Sequence, residues 1–474
     1  MNRRNVLVAW FILIGWHAAS TDILAREAAT ARPAVQQPRT VRVQSGTLDI
    51  AVLSRASGNG TTDDTASVQR ALSRCSELGM TCIIPGNTTY LITGELFLWG
   101  RGSLVGTDAT SILKIRTGSK LRVLNIGIGS TNPDDAYQKK PAWSGTIRGV
   151  TFQTDDTGPA SPSTARMIFF WRTNGGTIVS NTFLFGDGST YSATSSGNNN
   201  NIVRGCAGEN PTPLDGACVR RNLTITGNTV TASQDNLGGE GFGLNLFDGV
   251  EIANNTVSGV GDDMIGIHFS DNVNIHDNTL AGVDGRLFVA QSRNVTVFRN
   301  HISRMASTAN GTWYAGSALI YVGHENDATN GQPAPTNVIV RDNTVVLPNG
   351  SIESGPAFYI RGPRRVVIER NTLQNDASGG STQGMQITSF PYSSGTWTDP
   401  TGLDSGNVGR VHSVIVQGND LTVGSQHRSI LMTGACATNY LGNASNPDVV
   451  IRGNTASAYQ FICGPTQSGN VTIP

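Results

Sequence analysis

VEIANNTV (residues 250–257), VNIHDNTL (273–280) and VTVFRNHI (295–302) are three statements of one phrase, and their spacing decides the fold. Each has alternating apolar residues, a short turn, an asparagine and a further apolar residue. The asparagines, Asn255, Asn278 and Asn300, recur at a nearly constant interval, the mark of a stacked repeat. Earlier copies are GTIVSNTF around Asn181 and NLTITGNTV around Asn228. Later ones are VIVRDNTV around Asn343, VVIERNTL around Asn371, VIVQGNDL around Asn419 and VVIRGNTA around Asn454. A degenerate copy, GTIRGVTF, opens the series at Gly145, so the repeat is expected to organise the chain after about that residue. The closest intervals, from Asn228 through Asn255 and Asn278 to Asn300, suit one coil each. The wider ones, such as Asn300 to Asn343, correspond to two coils or to one coil with an insertion. A period of about 22 residues accommodates three short strands and three turns, and repeats of that length stack into a solenoid. Stacking sets each asparagine above the last, where the side-chain amides can hydrogen-bond in a ladder.

Between the asparagine phrases run second apolar alternations: GFGLNLF, DMIGIHFS, RLFVAQ, ALIYV, AFYIRG, MQITSF and SILMTG. They fit a second parallel sheet that gains one strand per coil. The Asn-Gly turns between paired strands that an up-and-down sandwich or propeller uses are missing from these junctions. The expected fold class is therefore all-β, a single-stranded right-handed parallel β-helix.

Composition agrees. Of 474 residues 56 are glycine, above the usual ~7%, and 14% are charged, against a typical ~25%. Lysine plus arginine balance aspartate plus glutamate at 34 each, so no overall field points to nucleic acid or to a membrane surface as partner. A monomer is expected. The N-terminus has the form of an export signal: Arg3 and Arg4, an apolar run from Val6 to Trp16, then Ala18, Ala19, Ser20 and Ala25. Residues 1–25 are read as that signal, 26–45 as a flexible lead-in and 46–474 as the β-helix domain, giving a secreted or periplasmic protein. The six cysteines suit that compartment. They fall as Cys75 with Cys82, Cys206 with Cys218, and Cys436 with Cys463, and none has CxxC spacing.

A solenoid end exposes strand edges and apolar interior, so it needs a cap. Val68, Leu72 and Cys75 recur at helical spacing between Ala66 and Leu78, and Asp63 and Asp64 stand where the helix dipole favours acids. NGTTDDTASVQRALSRC (59–75) resembles the opening of the pectate-lyase-like superfamily of right-handed parallel β-helix proteins. That superfamily includes polysaccharide lyases, polygalacturonase-type hydrolases, epimerases and phage tailspikes.

Taking Phe242, Leu244, Leu246, Ile265, Ile267, Leu287, Val289, Ile320, Val322, Phe358 and Ile360 as inward-facing leaves an outward set. It comprises Asn245, His268, Arg286, Tyr321, Tyr359 and Arg361, expected one above another on successive coils. At the starts of these strands stand Glu240, Asp262, Asp263 and Asp284, spaced by one coil each. With strands about 4.8 Å apart, four carboxylates should cluster within about 10 Å. Such acids raise one another's pKa, which is costly for a plain surface and useful for acid–base chemistry.

GGEGFGLN (238–245) and GDDMIGIH (261–268) resemble the active-site phrases of polygalacturonase-type glycoside hydrolases. The resemblance implies an inverting hydrolase of polysaccharides, with Asp263 as general acid and Glu240 plus Asp262 activating water. Asp284, Arg286, His268, Asn245, Tyr321, Tyr359 and Arg361 are the candidate substrate-binding residues. The first acid is Glu where the family has Asp, and Val283-Asp284-Gly285-Arg286 replaces the family's Gly-His-Gly. The family's Arg-Ile-Lys clamp has no counterpart downstream, although Arg361 is a possible substitute. A hydrolase of this kind uses no metal or other cofactor. Two other readings compete. A uronate lyase or epimerase would hold Ca²⁺ on Asp262, Asp263 and Asp284 with Arg286 as base, and a non-catalytic glycan-binding solenoid would rely on groove aromatics. Trp313, Tyr314, Tyr392 and Trp397 lie in the longer insertions, where aromatics could stack on sugar rings.

Overall fold

A computed structural model describes residues 46–116, 121–130, 140–155, 164–186, 190–195, 220–232, 240–282, 285–305, 318–323, 335–347 and 356–375. Beyond these it describes 383–388, 390–391, 408–409, 412–421, 429–433, 445–456, 459–461, 464–468 and 470–472. By contact density residues 1–42 separate from 43–474, and all described residues belong to the second unit. The export signal, the lead-in and the cysteines at 206, 218, 436 and 463 lie outside the described residues. No helix among the described residues is long and apolar enough to cross a membrane.

The described strands form three long parallel sheets of 15, 14 and 12 strands, each gaining one strand per coil, with one short antiparallel pair outside them. This is a right-handed parallel β-helix. The coil begins well before residue 145. Thr47–Asp49 already pairs with Thr81–Ile84, which pairs with Ser103–Gly106, and that strand with Thr146–Arg148. The first coils lack the asparagine phrase because other residues fill the turn. At the transition Val150 holds the ladder position, its N–H donating to Asn181 Oδ1 at 3.1 Å.

From Asn181 onward the ladder is continuous. The backbone N–H and Nδ2 of each asparagine both donate to Oδ1 of the next, as Asn255 does to Asn278 at 2.9 and 3.0 Å. Nδ2 also donates to a strand carbonyl, for Asn255 that of Ile225 at 3.0 Å. The asparagines are almost wholly buried, so these bonds satisfy amides that would otherwise be costly to bury. Asn470 adds a last rung below Asn454, in a phrase too degenerate for the repeat to reveal. The wide gaps each prove to be one coil with an insertion: Asn181 is followed by Asn228, Asn300 by Asn343 and Asn371 by Asn419.

The cap is a helix over Thr65–Leu78 that buries Val68, Ala71, Leu72 and Cys75, the last bonded to Cys82 in the first coil. Gly79 ends it in the left-handed conformation, where glycine costs least. Asp64 faces back from the helix start, accepting from Ser57 N at 2.6 Å and Gly58 N at 3.0 Å. A short helix, Ile50–Ser54, precedes it and is too brief to leave a periodic signal in the sequence. One apolar core runs the length of the coils, filled by inward residues such as Phe152, Phe183, Phe242, Ile265, Val289, Ile320 and Phe358.

Candidate active site

The 12-stranded sheet carries the site, and its register sorts the outward residues into three columns where the alternation alone suggested one. The edge column pairs Arg122 with Arg166, Arg166 with Ser192, Ser192 with Glu240, and Asp263 with Arg286. A middle column pairs Gly243 with Gly266, then Phe288, Tyr321, Tyr359 and Gln386. A far column pairs Asn245 with His268, Ala290, Gly323, Arg361 and Thr388. Successive side chains point to opposite faces of a strand, so residues that share a column on one face keep the same parity.

The edge column departs from that parity: Arg122, Arg166, Glu240 and Asp263 each stand two residues before an inward residue, Leu124, Ile168, Phe242 and Ile265. Ile265 faces the core, so strict alternation would turn Asp263 inward with it. A register irregularity between Asp263 and Ile265 instead sends Met264 into the core beside Ile265. The carboxylate of Asp263 folds over Gly266 on the outer face. A Cβ at Gly266 would meet its Oδ2 at 2.8 Å, so glycine leaves the room that the carboxylate occupies.

Around it the charges are unequal. Asp263 Oδ1 accepts from Arg286 Nε at 2.6 Å, and its Oδ2 lies 3.7 Å from His268 Nε2. Burial by itself would raise Asp263, but Arg286 and His268 outweigh it and hold the carboxyl below the ordinary range. Asp262 sits at the mouth with about a third of its side chain exposed and 3.9 Å from Arg286. Burial of the group, then the neighbouring charges of Asp263 and Glu240, push its pKa up to about 7 against the pull of Arg286 and His268. Arg286 stays charged: Asp263 and Asp262 more than offset its burial and raise it further. This order, a protonatable Asp262 beside an ionised Asp263, is the reverse of what a general acid at 263 requires.

Aromatic rings continue from the acids along the groove. The Arg286 guanidinium lies 4.1 Å from the Phe288 ring centre; Phe288 stands 5.0 Å from His268 and 4.7 Å from Tyr321. Tyr321 meets Tyr359 edge-on at 5.3 Å. Burial raises both tyrosines, Tyr321 to about 12, with the charge of Arg361 opposing in each case. Phe288 is absent from the sequence candidates although Leu287 and Val289 on either side face inward, a parity that puts it on the groove. The structure thus brings Glu240, Asp262, Asp263, His268 and Arg286 together. Tyr321, Tyr359 and Arg361 stand on coils further along. Asn245 is buried in the groove wall, its carbonyl accepting from Arg220 Nη1 at 2.7 Å. Asp284, Trp313, Tyr314, Tyr392 and Trp397 lie outside the described residues. Among the described residues no group of three or more His, Cys, Asp or Glu is arranged to hold a metal ion.

A family model described as periplasmic copper-binding protein (NosD) matches residues 157–316, less than half of the chain. Comparison with curated proteins finds no match. Among solved structures, the mannuronan C-5 epimerase AlgE6 A-module of Azotobacter vinelandii is similar with a TM-score of 0.51 at 16% identity, covering 90% of this chain and 99% of that one. The catalytic unit of a GH87 α-1,3-glucanase from Streptomyces thermodiastaticus strain HF3-3 gives 0.54 at 13% identity, covering 90% and 69%. The Dettilon tailspike protein gives 0.51 at 10%, covering 89% and 68%. At these identities the likeness establishes the fold alone, a right-handed parallel β-helix.

Proposed function

We propose that this chain is an exported polysaccharide-cleaving enzyme, an inverting glycoside hydrolase that works in the groove of the 12-stranded sheet. One observation carries the reading: adjacent carboxyls are driven apart in proton affinity, Asp262 upward to about 7 and Asp263 downward. Splitting a pair of acids in this way is how one site supplies an acid and a base at once. Asp262 protonates the leaving glycosidic oxygen. Glu240, one coil below, and the ionised Asp263 activate water, the division of labour that inversion requires. Arg286 and His268 hold Asp263 ionised, and Phe288 supports Arg286 from beneath. The resemblance of GDDMIGIH to polygalacturonase-type phrases supports the site but leaves the sugar open. Similarity in fold to a glucanase and to an epimerase is compatible with action on glycans. The copper binding in the description of the matched family model is said of that family and is not carried over to this chain.

Tyr321 supports a second reading, proton abstraction at C5 of a uronate by a lyase or epimerase. Its phenol stays neutral to about 12 and lies beside Arg361 and Arg286, able to deliver a proton. Arg286 itself, bound to Asp263 and raised above its ordinary value, is a poor base, which favours hydrolysis. The test is a panel of neutral and uronate-containing polysaccharides, with and without EDTA, followed for new reducing ends and for ultraviolet absorbance of unsaturated uronate. Reducing ends without absorbance, insensitive to EDTA and lost in Asp262→Asn, are the expected result. Absorbance that rises with product and disappears in EDTA would hand the site to a calcium-dependent lyase.

A further inference from the structure

The edge column that holds the acids continues toward the N-terminal cap, and there its charge changes sign. Ser192 pairs with Arg166 and Arg166 with Arg122, so the two arginines stand two and three strand spacings beyond Glu240. Both guanidiniums converge on one aromatic floor. Arg122 lies 4.5 Å from the centre of Phe169 and 5.0 Å from that of Trp171, and Arg166 lies 5.7 Å from Phe169. Phe169 and Trp171 are nearly covered and pack with Ile128 and Phe97 on the outer side of the sheet, apart from the main core. Trp171 is pinned in turn by its Nε1–H, which donates to Asn125 Oδ1 at 2.8 Å.

We propose that Arg122 and Arg166 form a distal subsite for an anionic substituent, a carboxylate or sulfate, on a glycan that runs along the groove. The inference rests on the groove reading above and adds the chemical class of the glycan. Stacking on a ring fixes a guanidinium plane and turns its edge N–H groups sideways, the orientation that suits a planar anion. Two such groups on neighbouring strands, about 4.8 Å apart, can share one anion or take two from adjacent sugars. One pyranose unit advances a chain by about as much as one coil, so a chain with a sugar at Asp262 carries the third and fourth sugars beyond that one over Arg166 and Arg122. Gly243 and Gly266, which leave the middle column without side chains at the acids, lie between this arginine patch and the Phe288–Tyr321–Tyr359 run on the other side.

The subsite is tested by binding, which does not depend on turnover. Hexasaccharides of galacturonate and of mannuronate, and their carboxyl-reduced counterparts, are titrated calorimetrically into the full mature chain. The comparison set is Arg166→Gln, the double variant Arg122→Gln/Arg166→Gln, and the double lysine variant, each checked by circular dichroism for retained strand signal. An intact chain should bind at least one uronate hexamer about tenfold or more tighter than its reduced form, the worth of one charge-assisted contact. The double glutamine variant should lose that preference without weakening the neutral hexamer, and the lysine variant should keep part of it. Added salt should erode the preference. Equal affinity for charged and reduced hexamers, no binding by either uronate, or a preference that survives in the glutamine variant overturns the inference. Cleavage of a neutral glycan with no charge preference would remove this subsite alone, while anion-selective binding without cleavage would remove only the hydrolase.

Discussion

Truncating one rung of the asparagine ladder, Asn278→Ala, should cost far more than a surface substitution beside it. The side chain of Asn278 donates to Ile252 O at 2.9 Å, His276 O at 3.0 Å and Asn300 Oδ1 at 2.9 Å. It accepts from Asn255 N at 2.9 Å and Asn255 Nδ2 at 3.0 Å. All of these bonds vanish, and the Asn255 N–H is left facing a methyl group in a nearly dry turn. Such bonds contribute about 1 kcal/mol each, and a stranded buried donor costs about 1–3 kcal/mol, so the five bonds and the one stranded donor together set a ceiling of about 6–8 kcal/mol. Relaxation of the turn can recover part of this, giving a lower bound of about 3 kcal/mol. Thr279→Ala, next to it and exposed, should change stability by less than about 0.5 kcal/mol. The assay is urea unfolding of both variants beside the parent, with midpoint and slope fitted together. A loss below about 1 kcal/mol for Asn278→Ala, or a loss equal to that of Thr279→Ala, would refute the claim that the ladder stabilises the coils.

The other predictions concern the groove and the cap. With Asp262 as the proposed general acid and its pKa pushed up to about 7, turnover should be retained on the acid side and fall as pH rises through about 7. A rate that rises through that range would contradict its role as acid. Asp262→Asn should lower kcat about 10²- to 10⁴-fold while glycan binding persists, measured by reducing-end release and by calorimetry. Gly266→Ala should displace the Asp263 carboxylate, because the new methyl would lie 2.8 Å from its Oδ2. Activity should fall at least tenfold with little change in the urea midpoint, and unchanged kinetics would show that the carboxylate's seat does not matter. Removing the Cys75–Cys82 link by a double serine substitution should destabilise the cap by about 2 kcal/mol, the loop entropy of a short closure, seen as a lower unfolding midpoint.

The solenoid is legible in the sequence because its period is short and its ladder residue recurs without exception from Asn181 to Asn454. Asn278 and Asn300 face one another because they are one coil apart, a relation that needs no coordinates. The first coils escape for the same reason: Val150 does without the amide, so periodicity alone cannot find them. The acids at 240, 262 and 263 are legible by spacing, but their protonation order is not. That order depends on Arg286 reaching Asp263, and on the irregularity at Met264 that turns Asp263 outward against its parity. Local backbone departures of this kind leave no trace in an apolar alternation. Phe288 is recoverable from parity, since an inward Leu287 and Val289 already imply it.

The same departure explains how a regular fold tolerates an irregular site. A parallel coil would bury Asp263 in its core, where an unpaired carboxylate is untenable. Sending Met264 inward instead keeps the core apolar and delivers the acid to the groove, and it leaves room only for glycine at 266. Like charges at Glu240, Asp262 and Asp263 then repel within a scaffold whose stability lies elsewhere, in the ladder and the core on the other faces of each coil. In a solenoid each coil contacts only its neighbours, so strain at one groove position is confined to the adjacent coils. It follows that substitutions relieving the acid repulsion, such as Asp262→Asn, should leave stability unchanged or raise it while abolishing turnover. A site whose charges served only the fold would show the opposite sign.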